Sequence, residues 1–399
     1  MNSCQLQLLD LLSKSLFGCG SPINVDDYSQ LLLEAKNQAV VTLVYSSIDK
    51  TRLSTEAERQ WSDCSSAFYA NTIRVVHNHV ILHKWMEDAG VPYVVLKGCA
   101  SAAFYPKPQL RTMGDVDFFV PEQFLDKAGA ILEREGMTQR DGNRTSHIEY
   151  GKVGMDYELH FSLVGMPNGE VGKLIKKYTK DIFKSSSVQK VGNGFARMPS
   201  PFHHGIILLL HTCQHLTGEG VGLRHLCDWA VFANSFSDSE FCTMFEACLK
   251  QIGLWRFAQI LTRTSIKYLG ADEKAWAQCD EYLADALIED ILSAGNFGRK
   301  DSATKSVESM LISRGKDNNQ RSRMANQLIK HANELVYRRW PLSKKNKVLL
   351  PFGWIYYGGR RVWREMTGKV KKTSIKHVIK CAEDRQALYR SFKLFESEM

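Results

Sequence analysis

The stretch VVLKGCASAAFYPKPQLRTMGDVDFFV, residues 94–120, decides the fold of this chain. Its apolar beginning, residues 93–96, is typical of a buried strand, and the glycine at position 98 ends that strand. Small residues from Cys99 onward predict a helix, and after two prolines residues 115–120 read as a second strand. A strand, a glycine turn, a helix and a second strand together predict an α/β unit.

The second strand carries two carboxylates on one of its faces. Side chains alternate along a strand, so Asp115 and Asp117 share a face while Val116 and Phe118 point into a core. The two acids are then about 7 Å apart, which is costly unless positive charge lies between them. A divalent cation such as Mg²⁺ or Mn²⁺, which prefers oxygen ligands, would supply that charge. The turn at Gly98 offers backbone N–H groups at a helix start, where phosphates bind readily.

This arrangement resembles the nucleotidyltransferase superfamily of the DNA polymerase β type, in which an apolar strand and a glycine turn precede an Asp-apolar-Asp strand. The fuller pattern, with Lys97-Gly98, Arg111 and residues 114–117, is similar to an uncharacterised bacterial branch of nucleotidyltransferase family proteins. The similarity covers residues 93–163 and continues more weakly to Ala233. Fifteen residues separate Cys99 from Asp115, slightly more than the pattern allows, but added loop length costs little.

The resemblance implies a small mixed sheet with helices on one face, set among extensive helical N- and C-terminal regions. It also implies that Lys97, Gly98, Cys99 and Arg111 bind the nucleotide. Cys99 stands where Gly or Ser is usual, so it keeps a backbone N–H but has no hydroxyl. Lys97 either neutralises a phosphate or caps the strand in solvent. Arg111 is suited to nucleotide or acceptor contact, because a guanidinium pairs two phosphate oxygens at once.

A third carboxylate on a later strand is also implied by the resemblance. In residues 155–163, MDYELHFSL, alternation puts Asp156, Glu158 and His160 on one face. Glu158 matches the family position and would bind metal or act as the general base, with Asp156 as its competitor. His160 either contacts phosphate, orients Glu158, or is a hydrogen-bonded strand histidine.

Two further pairs lie at helical spacing in the C-terminal half. His211 and His215 share a helix face, but Thr212 replaces the Glu that His-Glu-x-x-His needs, so zinc hydrolysis is not predicted. They line a cleft beside the catalytic part or pair with Asp228. Arg224, four residues before Asp228, either forms a helix-surface ion pair with it or reaches the nucleotide.

The whole chain has 399 residues and a net charge of +9, and its ten cysteines include no Cys-x-x-Cys. Zinc ribbons and redox pairs are therefore not predicted, and a reducing cytoplasm is the simplest location. There is no apolar run near 18 residues, so no transmembrane segment is expected. Residues 338–380 hold thirteen basic residues and one acid, interleaved with aromatics. This mixture suits an anionic surface or a polyanion, or a helix whose aromatics pack inward.

Five parts are predicted: a helical region at 1–90, the nucleotidyltransferase core at 91–200, a helical domain at 201–296, a mobile linker or loop at 297–325 and a basic helical region at 326–399. The leading hypothesis is a Mg²⁺-dependent nucleotidyltransferase. It would move a nucleoside monophosphate from an NTP, with ATP as the expected donor, to an acceptor that the sequence does not identify. The alternative is a catalytically silent binding module with the same fold. Nucleic-acid binding through the basic region ranks last, because no reading motif is visible.

Overall fold

The computed structural model describes residues 1–20, 23–140, 146–218, 220–296, 333, 336–337, 340, 342–366 and 385–397. Contacts between Cα atoms divide the chain into two units. The first unit comprises Met1–Leu216, Gly220–Lys300 and Ser391–Met399, and the second comprises Thr217–Glu219 and Asp301–Arg390. The linker expected at 297–325 lies outside the described residues, and the five-part division stays a prediction.

The N-terminal region is helical, as predicted. Its α-helices are α1 (Ser3–Phe17), α2 (Tyr28–Asn37), α3 (Val41–Ser47) and α4 (Thr55–Asp88). Helix α4 begins after Ser54, whose Oγ accepts a hydrogen bond from the Ala57 N–H at 3.2 Å. Val75, Leu82 and Met86 of α4 belong to the hydrophobic core that includes the sheet. The long helix is therefore part of the sheet's packing.

Five strands of the described residues form one mixed sheet. They are β1 (Val94–Val95), β2 (Val116–Phe119), β3 (Thr138–Gln139), β4 (His147–Lys152) and β5 (Met155–His160). Their order is β1-β2-β5-β4-β3, with β2 and β5 parallel and the other neighbours antiparallel. Helix α5 (Cys99–Ala102) follows β1, and α6 (Leu125–Arg134) follows β2. The predicted mixed sheet is confirmed; the edge strand β3 was not predicted, because two residues are too few to show a period.

One face of the sheet is apolar and is covered by α4 and α6. Val116 and Phe118 of β2 and Leu159 of β5 are fully buried there, together with Leu132 of α6. The alternation of side chains therefore turns the polar residues of β2 and β5 to the opposite face. Strand β2 begins at Val116, so Asp115 lies in the turn before the strand instead of being its first residue.

The remaining elements are mostly helical, as expected for the C-terminal part. They comprise α7 (Glu170–Tyr178), the hairpin of β6 (Ser187–Val191) and β7 (Gly194–Met198), α8 (Pro201–Thr217), α9 (Leu223–Asn234), α10 (Asp238–Phe241), a π-helical turn (Cys242–Glu246), α11 (Ala247–Ile252), α12 (Trp255–Leu269) and α13 (Glu281–Ala294). The second unit contains α14 (Leu342–Lys345) and α15 (Leu350–Met366). No helix in the described ranges has the length and apolar character needed to cross a membrane. Contact of the basic region with an anionic surface stays a prediction.

Candidate functional site

The three carboxylates that the sequence pattern singled out lie together at the polar face of β2 and β5. The strand register places Asp117 directly opposite Glu158. One carboxylate oxygen from each of Asp115, Asp117 and Glu158 lies within 4.8 Å of the other two. Asp117 is buried, whereas Asp115 and Glu158 are half-buried. We call these three residues the acid cluster.

Two side chains balance the charge of Asp117. The Lys97 Nζ atom lies 2.9 Å from Asp117 Oδ1, so Lys97 is not a solvent cap of the strand. His160 Nε2 lies 3.1 Å from the same oxygen and 3.3 Å from Glu158 Oε2. The fully buried His160 therefore links two of the three acids.

Burial and mutual repulsion change the pKa values of the acid cluster. Burial acts to raise the pKa of Asp117, but the Lys97 charge and the His160 hydrogen bond hold it well below its usual value. The charge of Asp117, followed by burial, raises the pKa of Asp115. Burial, followed by the charge of Asp117, raises the pKa of Glu158 to about 7. Glu158 can therefore hold or release a proton near neutral pH.

The glycine turn after β1 has a conformation and a neighbour that require glycine. Gly98 has φ +59°, and a Cβ atom there would lie 3.0 Å from the His79 ring. His79 is buried on α4, and burial lowers its pKa to about 4. Cys99, which begins α5, is also buried, and burial raises the pKa of its thiol to about 12. The Cys99 side chain therefore packs in the protein interior. Binding of the nucleotide by the backbone N–H of Cys99 stays a prediction.

The partner of Arg111 is a carboxylate on α9. Arg111 Nε and Nη2 each donate a 2.7 Å hydrogen bond to a different oxygen of Asp228. The Tyr105 hydroxyl donates a third, also of 2.7 Å. Asp228 is 5% exposed, so it is buried in the protein. The expectation that Arg224 and Asp228 form an ion pair on the surface of the helix is therefore wrong about the location of Asp228. Asp228 already binds the guanidinium of Arg111. The contact between Arg111 and a nucleotide stays a prediction.

The loop that leads to Asp115 is held from two helices. Asn71 of α4 donates a 2.7 Å hydrogen bond to the Met113 carbonyl, and Arg224 of α9 donates a 3.5 Å one to the Thr112 carbonyl. Sequence reasoning did not single out Asn71. A polar residue on the inward side of a long helix was a signal that could have identified it.

A second group of polar side chains lies near Lys97. His211 Nε2 is 3.1 Å from Lys97 Nζ and 2.9 Å from His215 Nε2, and His225 of α9 completes a group of three imidazoles. We call His211, His215 and His225 the histidine cluster. Burial, followed by the charge of Lys97, lowers the pKa of His215 to about 3, so its ring is neutral. Sequence reasoning missed His225, because it comes from a different helix and shares no spacing motif with the other two.

A cavity of about 100 Å³ lies between the two clusters. The predicted site residues that line it are Lys97, Gly98, Arg111, Asp115, Asp117, His211 and Arg224. An adjoining cavity of about 320 Å³ shares Met113, Gly114 and Arg224 with the first. The other predicted site residues, Cys99, Glu158, His160 and His215, do not line the smaller cavity.

Comparison with protein families gives a match over most of the first unit. The model of a family described as an uncharacterised nucleotidyltransferase matches residues 24–270, which is more than half of the chain. The match contains the whole sheet, the acid cluster and the histidine cluster. No curated protein matches the chain.

Proposed function

The chain belongs to this nucleotidyltransferase family, and from that premise we propose that it transfers a nucleoside monophosphate from an NTP to an acceptor hydroxyl, releasing pyrophosphate. The observation that carries the proposal is the convergence of Asp115, Asp117 and Glu158, whose oxygens lie within 4.8 Å of one another. These acids share a cavity wall with the Gly98 turn through Asp115 and Asp117. Such an arrangement suits a triphosphate held between a metal site and backbone donors.

The donor set of the acid cluster fits a hard divalent cation. Three carboxylates are the ligands that Mg²⁺ and Mn²⁺ prefer. The negative charge of Asp117 raises the pKa of Asp115, because the two carboxylates repel each other. A bound cation would reduce this repulsion. Asp115 and Asp117 would hold the ion, and Glu158 would either complete the ligand set or act as the general base. When bound, it would lower the pKa of the acceptor hydroxyl and neutralise charge on the phosphates.

The chain's own side chains would divide the remaining tasks. Lys97 contacts Asp117 and lines the cavity, which supports binding of phosphate oxygens by its ammonium. The acceptor oxygen attacks the α-phosphorus while the bond from that phosphorus to the leaving pyrophosphate breaks. As the general base, Glu158 would take the proton of the acceptor hydroxyl. His160 orients Glu158 through their 3.3 Å contact.

The two adjoining cavities would bind different parts of the substrates. The smaller one, of about 100 Å³, is of a size for phosphate groups, and the larger one, of about 320 Å³, suits a bulkier group. Arg224 lines both and offers a cation to a group that crosses between them. ATP is the donor we expect. A small hydroxyl compound, a sugar or glycan precursor, and a protein side chain are all compatible acceptors.

A second candidate function is nucleotide binding without transfer. It is favoured by the charge balance at Asp117, which has Lys97 at 2.9 Å and His160 at 3.1 Å. A carboxylate that is already paired needs no metal to be stable in the fold. In this case the protein would bind an NTP but form no product.

A transfer assay separates the two functions. The full chain is incubated with each labelled NTP, with Mg²⁺ or Mn²⁺, and with cell extract as the source of acceptor. We expect labelled product with the wild type and none with the double variant Asp115→Ala/Asp117→Ala. Asp156→Asn is the matched control, since Asp156 is a neighbouring acid on β5 outside the acid cluster. Equal labelling by wild type and double variant would contradict the proposed site, and binding without product would establish the second function.

A further inference from the structure

The histidine cluster is formed by two neighbouring helices of the first unit. His211 and His215 lie one turn apart on α8, so their rings face the same side. His225 lies in the first turn of α9, where its Nδ1 accepts a 3.3 Å hydrogen bond from the Gly222 N–H. A Cβ atom at Gly222 would lie 2.6 Å from the Asn296 Cα, so glycine allows the close approach that places this helix start.

The spacing of the three rings matches that of ligands around one ion. Ring centroids are 4.4 Å apart for His211 and His215, 5.0 Å for His215 and His225, and 5.3 Å for His211 and His225. One nitrogen from each ring lies within 4.8 Å of the other two. Nitrogens bound to a tetrahedral zinc ion at 2.0–2.1 Å are about 3.4 Å apart. Binding by all three requires small side-chain rotations that free His211 Nε2 from Lys97 Nζ and break the hydrogen bond from the Gly222 N–H to His225 Nδ1, because an imidazole that binds metal through Nε2 carries its proton on Nδ1.

We propose that His211, His215 and His225 form a binding site for a d-block divalent cation of the Zn²⁺ class. Imidazole nitrogen selects Zn²⁺, Co²⁺, Ni²⁺ and Cu²⁺, whereas carboxylate oxygen selects Mg²⁺ and Mn²⁺. The histidine cluster and the acid cluster thus bind different classes of metal across one cavity. The proposal holds whether or not the protein transfers nucleotides.

The charges around the cavity are compatible with a cation there. Asp115, Asp117, Asp228 and Glu158 carry the nearby carboxyl groups, against the basic residues Lys97, Arg111 and Arg224. The Lys97 ammonium already lies between the clusters, 3.1 Å from His211 and 2.9 Å from Asp117. A bound metal would repel this ammonium, and the contact with Asp117 keeps it in place at the acid cluster.

The site would leave one coordination position open. Three protein ligands are the pattern of zinc sites that keep a fourth position for water or substrate. His211 and His225 line the cavity of about 100 Å³ together with Asp115 and Asp117. The open position therefore faces the cavity, and the group that fits it is a water or an oxygen of a bound anion.

Metal binding to the purified full chain tests the proposal. The protein is freed of metal with a chelator, titrated with Zn²⁺ by calorimetry, and loaded with Co²⁺ for visible spectroscopy. We expect one tightly bound ion per chain and the strong visible absorption of four-coordinate Co²⁺, which six-coordinate Co²⁺ lacks. Each of the variants His211→Gln, His215→Gln and His225→Gln should lower the affinity for Zn²⁺ by about 100-fold or more. Loss of a residue that only hydrogen-bonds to a metal ligand already lowers metal affinity by about 10–100-fold.

Two control variants identify the ligands. His147→Gln removes a member of the other histidine-containing group, His147 with Glu158 and His160, and should keep Zn²⁺ binding. Asp156→Asn should also keep it, because Asp156 pairs with Arg140 and belongs to neither cluster. Binding that survives all three histidine-cluster variants, or that disappears in either control, would overturn the proposal.

One further measurement does not depend on the folding of variants. X-ray absorption by the Zn²⁺-loaded wild-type protein should show the scattering of three imidazole rings at the ion. A first shell of oxygen ligands with no imidazole scattering would exclude the histidine cluster, as would the absence of tight Zn²⁺ binding by the wild type.

Discussion

Asp117 and Glu158 are direct neighbours in the sheet, because the parallel register of β2 and β5 places them opposite each other. Their neighbours in sequence, Val116 and Tyr157, form the adjacent pair and point into the core. A shift of β5 by one residue in this register would turn Glu158 towards the core and Tyr157 and Leu159 towards the polar face. The hydrophobic core thus fixes the distance between two members of the acid cluster.

Replacing Asp117 by Asn should lower metal-dependent nucleotide transfer by at least about 100-fold, because a charged ligand is lost from the ion that would polarise the reacting groups. Initial rates over a range of Mg²⁺ concentrations measure the effect. Asp156→Asn on the same face of β5 should change the rate by less than about 2-fold, since Asp156 instead pairs with Arg140 near the surface. A similar loss in both variants would argue against a specific role for Asp117.

Gly98→Ala should destabilise the protein more than Gly90→Ala does. Both glycines have positive φ, of +59° and +62°, so both replacements introduce backbone strain of at least about 1 kcal/mol. The strain is larger at Gly98, because its ψ of −113° lies outside the left-handed helical region. At Gly98 the new methyl group would also lie 3.0 Å from the His79 ring, whereas nothing lies within 4 Å of the corresponding position at Gly90. Urea unfolding of the two variants measures the difference, and equal destabilisation would show that neither the backbone conformation at Gly98 nor the contact with His79 adds a cost.

Glu158→Gln should stabilise the metal-free protein at high pH. The pKa of Glu158 is about 7 in the folded protein, whereas an unperturbed Glu side chain has a pKa of 4.5. The folded state therefore binds the proton of Glu158 more tightly than the unfolded state does. The folded protein therefore loses stability from this group as the pH rises from about 4.5 to 7. At pH 8 the variant should gain about 1–3 kcal/mol in unfolding free energy over the wild type. Urea unfolding with a chelator at pH 8 and near pH 5 measures this gain, and a gain independent of pH would refute its electrostatic origin.

Asp228→Ala should be strongly destabilising, by about 3–5 kcal/mol, because it leaves the Arg111 guanidinium buried without its carboxylate. Replacing both residues, as Arg111→Met/Asp228→Leu, should restore much of the loss, since no buried charge then remains. Glu170→Ala is the control, because Glu170 forms an exposed ion pair with Lys173 and should cost less than about 1 kcal/mol. Thermal unfolding of the variants measures these differences. If the double variant were no more stable than Asp228→Ala, buried charge would not explain the effect.

Much of the sheet could be predicted from local pattern. The alternation of Val116 and Phe118 with the acids has a period of two residues, and this period alone assigns each side chain to a face. The same period assigns Leu159 to the core and Glu158 to the polar face. The strand β3 and the exact start of β2 could not be predicted, because strand ends depend on which neighbour offers hydrogen bonds.

The sequence by itself determined the α/β unit and the faces of its strands, because periodicity is a local property of the chain, whereas the choice of Glu158 over Asp156 as the third acid rested on the family resemblance. Only the tertiary structure decided the partners of Arg111 and Lys97 and the meeting of His225 with His211. Arg111 and Asp228 are 117 positions apart, and Lys97 and His211 are 114 apart. Such contacts depend on how α8 and α9 pack near the sheet, and that packing is set by the summed burial of many apolar side chains and not by any short motif.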